Sequence, residues 1–145
     1  MRVVIDTNVL ISRFLSPTGI PAKLVQMWQH DAAFDVVVSQ AVLQEYEAAL
    51  TYPHIQARHR LTQEEITTFL TFFSQLALLV TPRDNLPVLA SDPDDTIFPA
   101  TALAGNAEYL VSGDRDLLEI KIYQGIRILT PATFLALLEH KQKAA

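Results

Sequence analysis

Short apolar runs alternate along the chain with longer segments in which apolar residues recur every three or four positions. The short runs are rich in β-branched residues, which is typical of strands that a parallel sheet buries on both faces. The longer segments have the periodicity of helices that bury one face. The pattern therefore predicts strands at residues 2–5, 34–38, 109–112 and 127–129.

Signals for helix ends lie between these strands. Ser39 is a typical N-cap, and Thr62 with Glu65 forms a capping box, in which each side chain accepts from the other residue's backbone N–H. Pro21 and Pro131 suit the first position of a helix. Helices are therefore predicted at residues 9–15, from 21, from 39 toward 52, from 62, at 97–104 and from 131.

The alternation of strands and helices predicts an α/β fold with a mostly parallel sheet covered on both faces. Residues 77–80 either close the helix that begins at Thr62 or open a further strand. The length of 145 residues suits one domain with a substantial core. We expect this domain at residues 1–138 and a frayed tail at residues 139–145.

Composition and charge restrict the kinds of function. The chain has no cysteine, which excludes disulfides and thiolate metal sites. Its net charge of −5 argues against a protein that holds nucleic acid mainly through a basic surface. No apolar run is long enough to cross a membrane, and Asp6 interrupts the first run too early for a signal peptide. A cytoplasmic protein with no membrane contact is expected.

Several acids follow the predicted strands directly. Asp6 comes after the first strand, Asp114 and Asp116 come after the strand at 109–112, and Glu45 lies in the helix after the second strand. In open parallel sheets, ligands bind beyond the carboxyl ends of the strands, so these acids are expected in one crevice. Oxygen ligands without cysteine favour a hard cation such as Mg²⁺ or Mn²⁺.

Each acid also has a structural interpretation when it is taken alone. Asp6 suits the N-cap of a helix, and Glu45 suits a surface position with its stem against the core. The segment from Asp114 to Asp116 suits an ordinary turn or helix start, and residues 92–95 suit a solvated acidic turn. The metal-site hypothesis therefore depends on several such acids converging.

Four segments together resemble a known family. The segments DTNVLIS at 6–12, SQAVLQEYEAAL at 39–50, DPDDTIFPATALAGNAEYLVSGDRDLL at 92–118 and ILTPATFL at 128–135 occur in the order found in PIN domains. The likeness runs from Arg2 to about Leu138 and is greatest with the VapC-like branch, which is associated with toxin–antitoxin pairs.

The resemblance implies a Rossmann-like α/β/α sandwich and Mg²⁺- or Mn²⁺-dependent endoribonuclease activity on single-stranded RNA. It also implies a homodimer and an antitoxin protein as partner. By position, it implies catalytic roles for Asp6, Glu45, Asp95 and Asp114, metal binding by Asp6, Asp95, Asp114 and Asp116, and orienting roles for Thr7, Asn8 and Ser112.

Pro99 departs from the family pattern. A proline inside a helix removes a hydrogen bond and clashes with the carbonyl four residues earlier, here that of Asp95. The helix is therefore expected either to start near Phe98 or to be kinked beside Asp95. Asp92 or Asp94 would be the alternative ligand.

The basic residues are few, and they are the candidates for contact with RNA. Arg58 and Arg60 form the densest basic cluster and are candidates for RNA contact, as is Arg115, although a solvated loop or a dimer contact explains the cluster equally well. Arg13 and Lys23 are weaker candidates. The rival functions are a DNA-directed nuclease or phosphatase that uses the same metal site, and a catalytically silent partner-binding protein.

Overall fold

The computed structural model of the chain describes residues 1–83 and 96–144. Within these residues, strands and helices alternate as the apolar pattern predicts. The strands are β1 (Arg2–Ile5), β2 (Asp35–Val38), β3 (Leu78–Leu79), β4 (Tyr109–Val111), β5 (Ile122–Tyr123) and β6 (Ile126–Leu129). The helices are α1 (Thr7–Leu15), α2 (Ile20–Asp31), α3 (Gln40–Leu50), α4 (Pro53–His59), α5 (Gln63–Leu76), α6 (Ile97–Ala104), α7 (Arg115–Ile120) and α8 (Pro131–Ala144).

The six strands form one sheet in the order β3-β2-β1-β4-β6-β5. All neighbouring strands are parallel except β5 and β6, which are antiparallel. The last three residues of β1 and of β2 are all buried. Because consecutive side chains in a strand point to opposite faces, helices must cover both faces of the central strands. The predicted α/β fold with a central, mostly parallel sheet is confirmed.

The strong local signals mark the ends of the long helices. The Ser39 hydroxyl accepts from the Val42 N–H at 3.2 Å and caps α3. Thr62 and Glu65 form both hydrogen bonds of the capping box, each at 3.1 Å. Residues 78–79, which the pattern left open between helix and strand, form the edge strand β3.

Two short elements were not predicted, the helix α4 with seven residues and the strand β5 with two. Neither is long enough to show a helical or strand period. The six-residue helix α7 agrees with the interpretation of residues 114–116 as a helix start. Helix α6 ends at Ala104, as predicted, and α8 continues as far as Ala144. The domain limit at 138 and the fraying of the last residues stay predictions.

Pro99 occupies the third position of α6, which begins at Ile97. The first N–H groups of a helix have no partner inside it, so a proline in the first turn removes no hydrogen bond. The first of the two predicted alternatives, a helix that starts near Phe98, is therefore confirmed, since α6 begins one residue before Phe98. Asp92, Asp94 and Asp95 lie outside the described residues, so the choice among them stays a prediction.

An aromatic cluster joins three helices beside the sheet. The ring centroid of Phe73 lies 4.6 Å from that of Trp28 and 5.6 Å from that of Tyr46. These residues belong to α5, α2 and α3, and all three are buried. Such packing fixes α3 against the sheet, which matters because α3 carries Glu45. Within the described residues, every helix is too short or too polar to span a bilayer.

The close approach of α6 to β2 gives a stability prediction. A Cβ atom on Gly105 would lie 2.4 Å from Cγ1 of Val37, which is fully buried. We expect Gly105→Ala to lower the free energy of unfolding by about 1–3 kcal/mol, because an overpacked core must shift. Urea denaturation measures the change. Gly113→Ala is the control, since its Cβ would meet no atom closer than 3.5 Å, and equal stability of the two variants would contradict the prediction.

Candidate active site

The candidate site lies at the carboxyl ends of β1 and β4. These two strands are neighbours in the sheet. After β1 the next strand is added toward one edge of the sheet, and after β4 the next strands are added toward the other edge. Such a switch point opens a crevice in a parallel sheet. Asp6 directly follows β1, and Asp114 lies three residues after the end of β4. The strand order therefore brings together two acids that are 108 residues apart.

Asp6 is buried, with 6% of its surface exposed, and it caps α1. Its Oδ1 accepts from the backbone N–H of Thr7 at 2.8 Å, and its Oδ2 accepts from the hydroxyl of Ser112 at 2.5 Å. Its own backbone N–H donates to the carbonyl of Val111 at 2.9 Å and so extends the pairing of β1 with β4. The helix-cap interpretation of Asp6 is confirmed, and its role as a site residue stays a prediction.

Ser112 connects the two acids. It is fully buried, donates to Asp6 and accepts from the backbone N–H of Asp114 at 2.9 Å. A hydroxyl has one proton, so these two partners fix its orientation. Asn8 closes the same loop, because its Oδ1 accepts from the Gly113 N–H at 3.1 Å and its Nδ2 lies 3.4 Å from Oδ2 of Asp6.

Asp114 is half-buried and caps α7. Its Oδ1 accepts from the backbone N–H of Asp116 at 2.9 Å. Asp116 and Arg115 are exposed in the first turn of that helix. The structure therefore places both residues beside Asp114 but at the solvent side of the loop.

Burial raises the pKa of Asp6 above its usual value. The hydrogen bonds from Ser112 and Thr7 act in the opposite direction, and the negative charge of Asp114 raises the pKa further. Within residues 1–83 and 96–144, neither acid forms an ion pair. The ionised pair is therefore poorly compensated, and a bound cation would relieve the repulsion.

The oxygen atoms at the site fit a hard divalent cation. Oδ1 of Asp6 accepts one hydrogen bond and keeps a second lone pair, and Oδ2 of Asp114 has no recorded partner within the described residues. The hydroxyl of Thr7 is buried and likewise has no partner there. Among the described residues, no three acids or histidines are grouped closely enough to hold a metal ion. A complete ligand set would therefore need a further carboxylate.

Tyr46 is a residue of the site that sequence reasoning missed. Its side chain is fully buried, and its hydroxyl donates to the carbonyl of Ile5, the residue before Asp6. Burial, and then the charge of Asp6, raise the pKa of Tyr46 well above its usual value, so it stays a hydrogen-bond donor. The only signal in the sequence is a tyrosine on the apolar face of a predicted helix.

Glu45 precedes Tyr46 on α3 and is half-buried. The hydrogen bond of Tyr46 anchors this part of α3 to the end of β1, beside Asp6. No hydrogen bond or ion pair of the Glu45 carboxylate is found in the part of the chain that the structure describes. The structure therefore brings the helix to the site without joining Glu45 to Asp6 or Asp114.

The basic cluster lies at the other end of α1. Arg58 and Arg60 are exposed at the end of α4, and His59 between them is structural. The His59 ring accepts from the N–H of Leu61 at Nδ1 and contacts the carbonyl of Leu50 through Nε2, both at 2.9 Å. Accepting at Nδ1 leaves the proton on Nε2, so His59 donates to Leu50.

The chain is similar to a known family and to a known protein. The family model described as PIN domain matches residues 2–116. The uncharacterized protein MJ1680 of Methanocaldococcus jannaschii is 30% identical over 121 residues, which cover 83% of this chain and 76% of that protein.

Two solved structures share the fold at low sequence identity. The structure of VapBC-1 from nontypeable Haemophilus influenzae has a TM-score of 0.61 and 14% identity, and it covers 91% of this chain and 99% of that chain. The structure of VapBC2 from Rickettsia felis, bound to a DNA fragment from their promoter, has a TM-score of 0.59 and 13% identity. It covers 88% of this chain and 97% of that chain.

The raised pKa of Asp6 gives a prediction for stability. The unfolded chain releases this proton near pH 3.8, whereas the folded chain keeps it to higher pH. The folded state therefore holds more protons in this window, so the unfolding free energy contributed by Asp6 falls as pH rises through it. Asp6→Asn cannot titrate, and its amide oxygen can still cap α1.

Urea denaturation in EDTA, from about pH 4 to pH 7, measures this contribution. We expect the stability of the wild type to fall relative to that of Asp6→Asn as pH rises. A relative gain of wild-type stability over the same range would show that Asp6 is stabilised as an anion by the protein alone.

Proposed function

This chain belongs to the PIN-domain family, and on that premise we propose that it is a metal-dependent endoribonuclease that cleaves single-stranded RNA. PIN domains are generally nucleases and generally use divalent metal ions. The observation that carries the proposal is the pair Asp6 and Asp114, joined through Ser112 at the switch point of the sheet and uncompensated by a cation among the described residues.

The proposed metal ligands are the acids at this end of the sheet. Asp6 and Asp114 would hold Mg²⁺ or Mn²⁺ together with Asp95, and Asp116 would assist from the exposed side. When bound, such an ion lowers the pKa of a coordinated water and offsets the charge of the phosphodiester. Glu45 would act as a ligand or would orient the attacking water.

The other residues of the site would keep the acids in place. Ser112 and the Thr7 N–H take two of the acceptor positions of Asp6, which limits the directions in which a ligand can approach it. Asn8 holds Gly113 and so restrains the loop that carries Asp114. Groups that are fixed before the substrate binds need no reorganisation during the reaction, which is the main source of electrostatic catalysis.

We further propose a protein antitoxin as partner, a homodimer as the assembled form and the cytoplasm as the location. The likeness of the fold to the VapBC structures and the VapC-like segments of the sequence support the antitoxin. Arg58, Arg60 and Arg115 are exposed and would be available to RNA.

Cleavage of a labelled single-stranded RNA tests the proposed activity. We expect cutting with Mg²⁺ or Mn²⁺ and none with EDTA, and we expect Asp6→Asn and Asp114→Asn to lower the rate by about 100-fold or more. Asp35→Asn is the matched control, because Asp35 is exposed at the amino end of β2, far along the strands from the site.

The outcomes separate the rival functions. Equal cutting by the wild type and Asp6→Asn would contradict the proposed site. Preferential cutting of a matched DNA strand would favour a DNA-directed nuclease. A folded chain that cuts no strand under any condition would favour a silent partner-binding protein.

Metal binding can be tested without activity. An ion that binds only the folded chain raises its stability by about 2.7 kcal/mol at a concentration 100 times Kd. We expect Mn²⁺ to raise the melting temperature of the wild type and of Asp35→Asn, but not of Asp6→Asn or Asp114→Asn. A similar rise in all four chains would place the bound ion elsewhere.

A further inference from the structure

Arg13 is a cation without a protein counter-ion in the described residues. It lies in the last turn of α1 and is half-buried. The chain carries 16 acids against 11 lysines and arginines, yet no acid within residues 1–83 and 96–144 pairs with Arg13. Its Nε is buried and has no hydrogen-bond partner among these residues.

Two aromatic rings hold the guanidinium group. Its central carbon lies 4.6 Å from the ring centroid of Phe14 and 5.7 Å from that of Phe69. These rings pack edge to face, with their centroids 4.7 Å apart. Cation–π contacts of this kind orient the planar group, so little side-chain entropy is left to lose when a ligand binds.

The surroundings of Arg13 favour an anion from outside the protein. Burial lowers the pKa of Arg13, because the cation has lost part of its hydration. An arginine stays charged at neutral pH all the same, and a partly desolvated cation is stabilised by an anion that pairs with it. The guanidinium fork matches the two oxygens of a phosphate and binds them through charge-assisted hydrogen bonds.

Helix α4 ends beside the same end of α1. The ring of His59, at the end of α4, lies 6.2 Å from the ring of Phe14. His59 is fixed by its two backbone hydrogen bonds, and its neighbours Arg58 and Arg60 are both exposed. We call Arg13, Arg58 and Arg60 the α1–α4 basic surface.

Arg13 and the candidate active site lie at the two ends of one helix, α1. Helix α1 begins beside Asp6, and Arg13 follows seven residues later, which is about 10 Å along the helix axis. A strand with its scissile phosphate at Asp6 and Asp114 would carry further phosphates over such a distance. A continuous polyanion can pair with several cations that are spread along a surface, whereas a single carboxylate can pair with only one of them.

We propose that the α1–α4 basic surface, with Arg13 as its fixed member, binds backbone phosphates of single-stranded RNA away from the cleaved bond. This inference rests on the proposed ribonuclease function and adds a second contact region for the same substrate. It makes Arg13 a substrate-binding residue, with no part in the chemistry at the metal ligands.

The first test measures RNA binding in EDTA, where no metal-dependent cleavage occurs. The fluorescence anisotropy of a labelled single-stranded RNA of roughly 12 nucleotides gives the Kd. It is measured at several salt concentrations from about 50 to 200 mM. We expect Arg13→Gln to weaken binding about tenfold and to reduce the slope of log K against log salt by about 0.7, which is the value for one lost phosphate contact.

Matched variants separate charge from packing. Arg13→Lys should keep the salt slope but bind more weakly, because it keeps the charge and loses the fork. Arg13→Met keeps an apolar stem against the rings, so it should stay folded in urea denaturation and show the same reduction of the salt slope as Arg13→Gln. Arg127→Gln, at an exposed position near the amino end of β6, should change neither quantity. Unchanged affinity and slope in Arg13→Gln and Arg13→Met would overturn the proposal.

Cleavage kinetics separate this inference from the proposed function. On a long RNA, Arg13→Gln should raise KM about tenfold and leave kcat unchanged, and on a substrate too short to span about 10 Å it should behave as the wild type. RNA cutting that is insensitive to Arg13 would overturn the inference alone. If the wild type cuts no RNA but binds it in an Arg13-dependent manner, the proposed ribonuclease activity is overturned. The proposal that this surface binds phosphates would still stand.

A competition arm distinguishes RNA from an acidic protein. A polyglutamate peptide with the same charge as the RNA is used as competitor. If the peptide does not displace the RNA from the wild type, the result supports a surface that binds phosphates. Stronger binding of the peptide than of RNA, lost in Arg13→Gln, would overturn the proposal in favour of an acidic protein partner.

Discussion

The buried carboxylate of Asp6, held by the hydroxyl of Ser112 beside a second acid, is the interaction on which the candidate site depends. Burial disfavours its charge, and the nearby charge of Asp114 disfavours it further. The protein offsets this cost with hydrogen bonds from Ser112, from the Thr7 N–H and, at 3.4 Å, from Asn8, and with the helix that Asp6 caps. Negative charge at the N-terminus of a helix is favourable, but only by a modest amount. The remaining cost is what a cation can remove.

The surrounding fold can be understood as the scaffold for this arrangement. Pairing of β1 with β4 sets the two acids beyond the ends of adjacent strands, and the hydroxyl of Tyr46 fixes α3 to the last carbonyl of β1. The rings of Phe73 and Phe98 hold Tyr46 in turn. Rigid packing around a poorly compensated charge is the usual sign that a protein gives up some stability for a binding site.

The sequence predicted the long elements and the edge of the sheet that carries the site, because these follow from local signals. Apolar runs marked the buried strands, and caps such as Ser39 and Thr62 marked the helices. The short helix α4 has no buried residue and therefore left no pattern. The links of Ser112 to Asp6 and of Tyr46 to Ile5 join residues 106 and 41 positions apart, so no local pattern reveals them. Pro99 left two alternatives open, because its position relative to the helix start has no local signal, and the structure selects the start near Phe98.

Net charge and local charge lead to different conclusions about nucleic acid. A total of −5 argues against binding through a broad basic surface, because every phosphate contact needs a cation. The acids that produce this total include those at the candidate metal site, where a divalent ion would reverse the local sign. One cation away from these acids, Arg13 in the last turn of α1, is held in place by two aromatic rings. A phosphate chain would therefore meet positive potential at two separated places, and the spacing between them, more than the net charge, would determine how a strand lies on the protein.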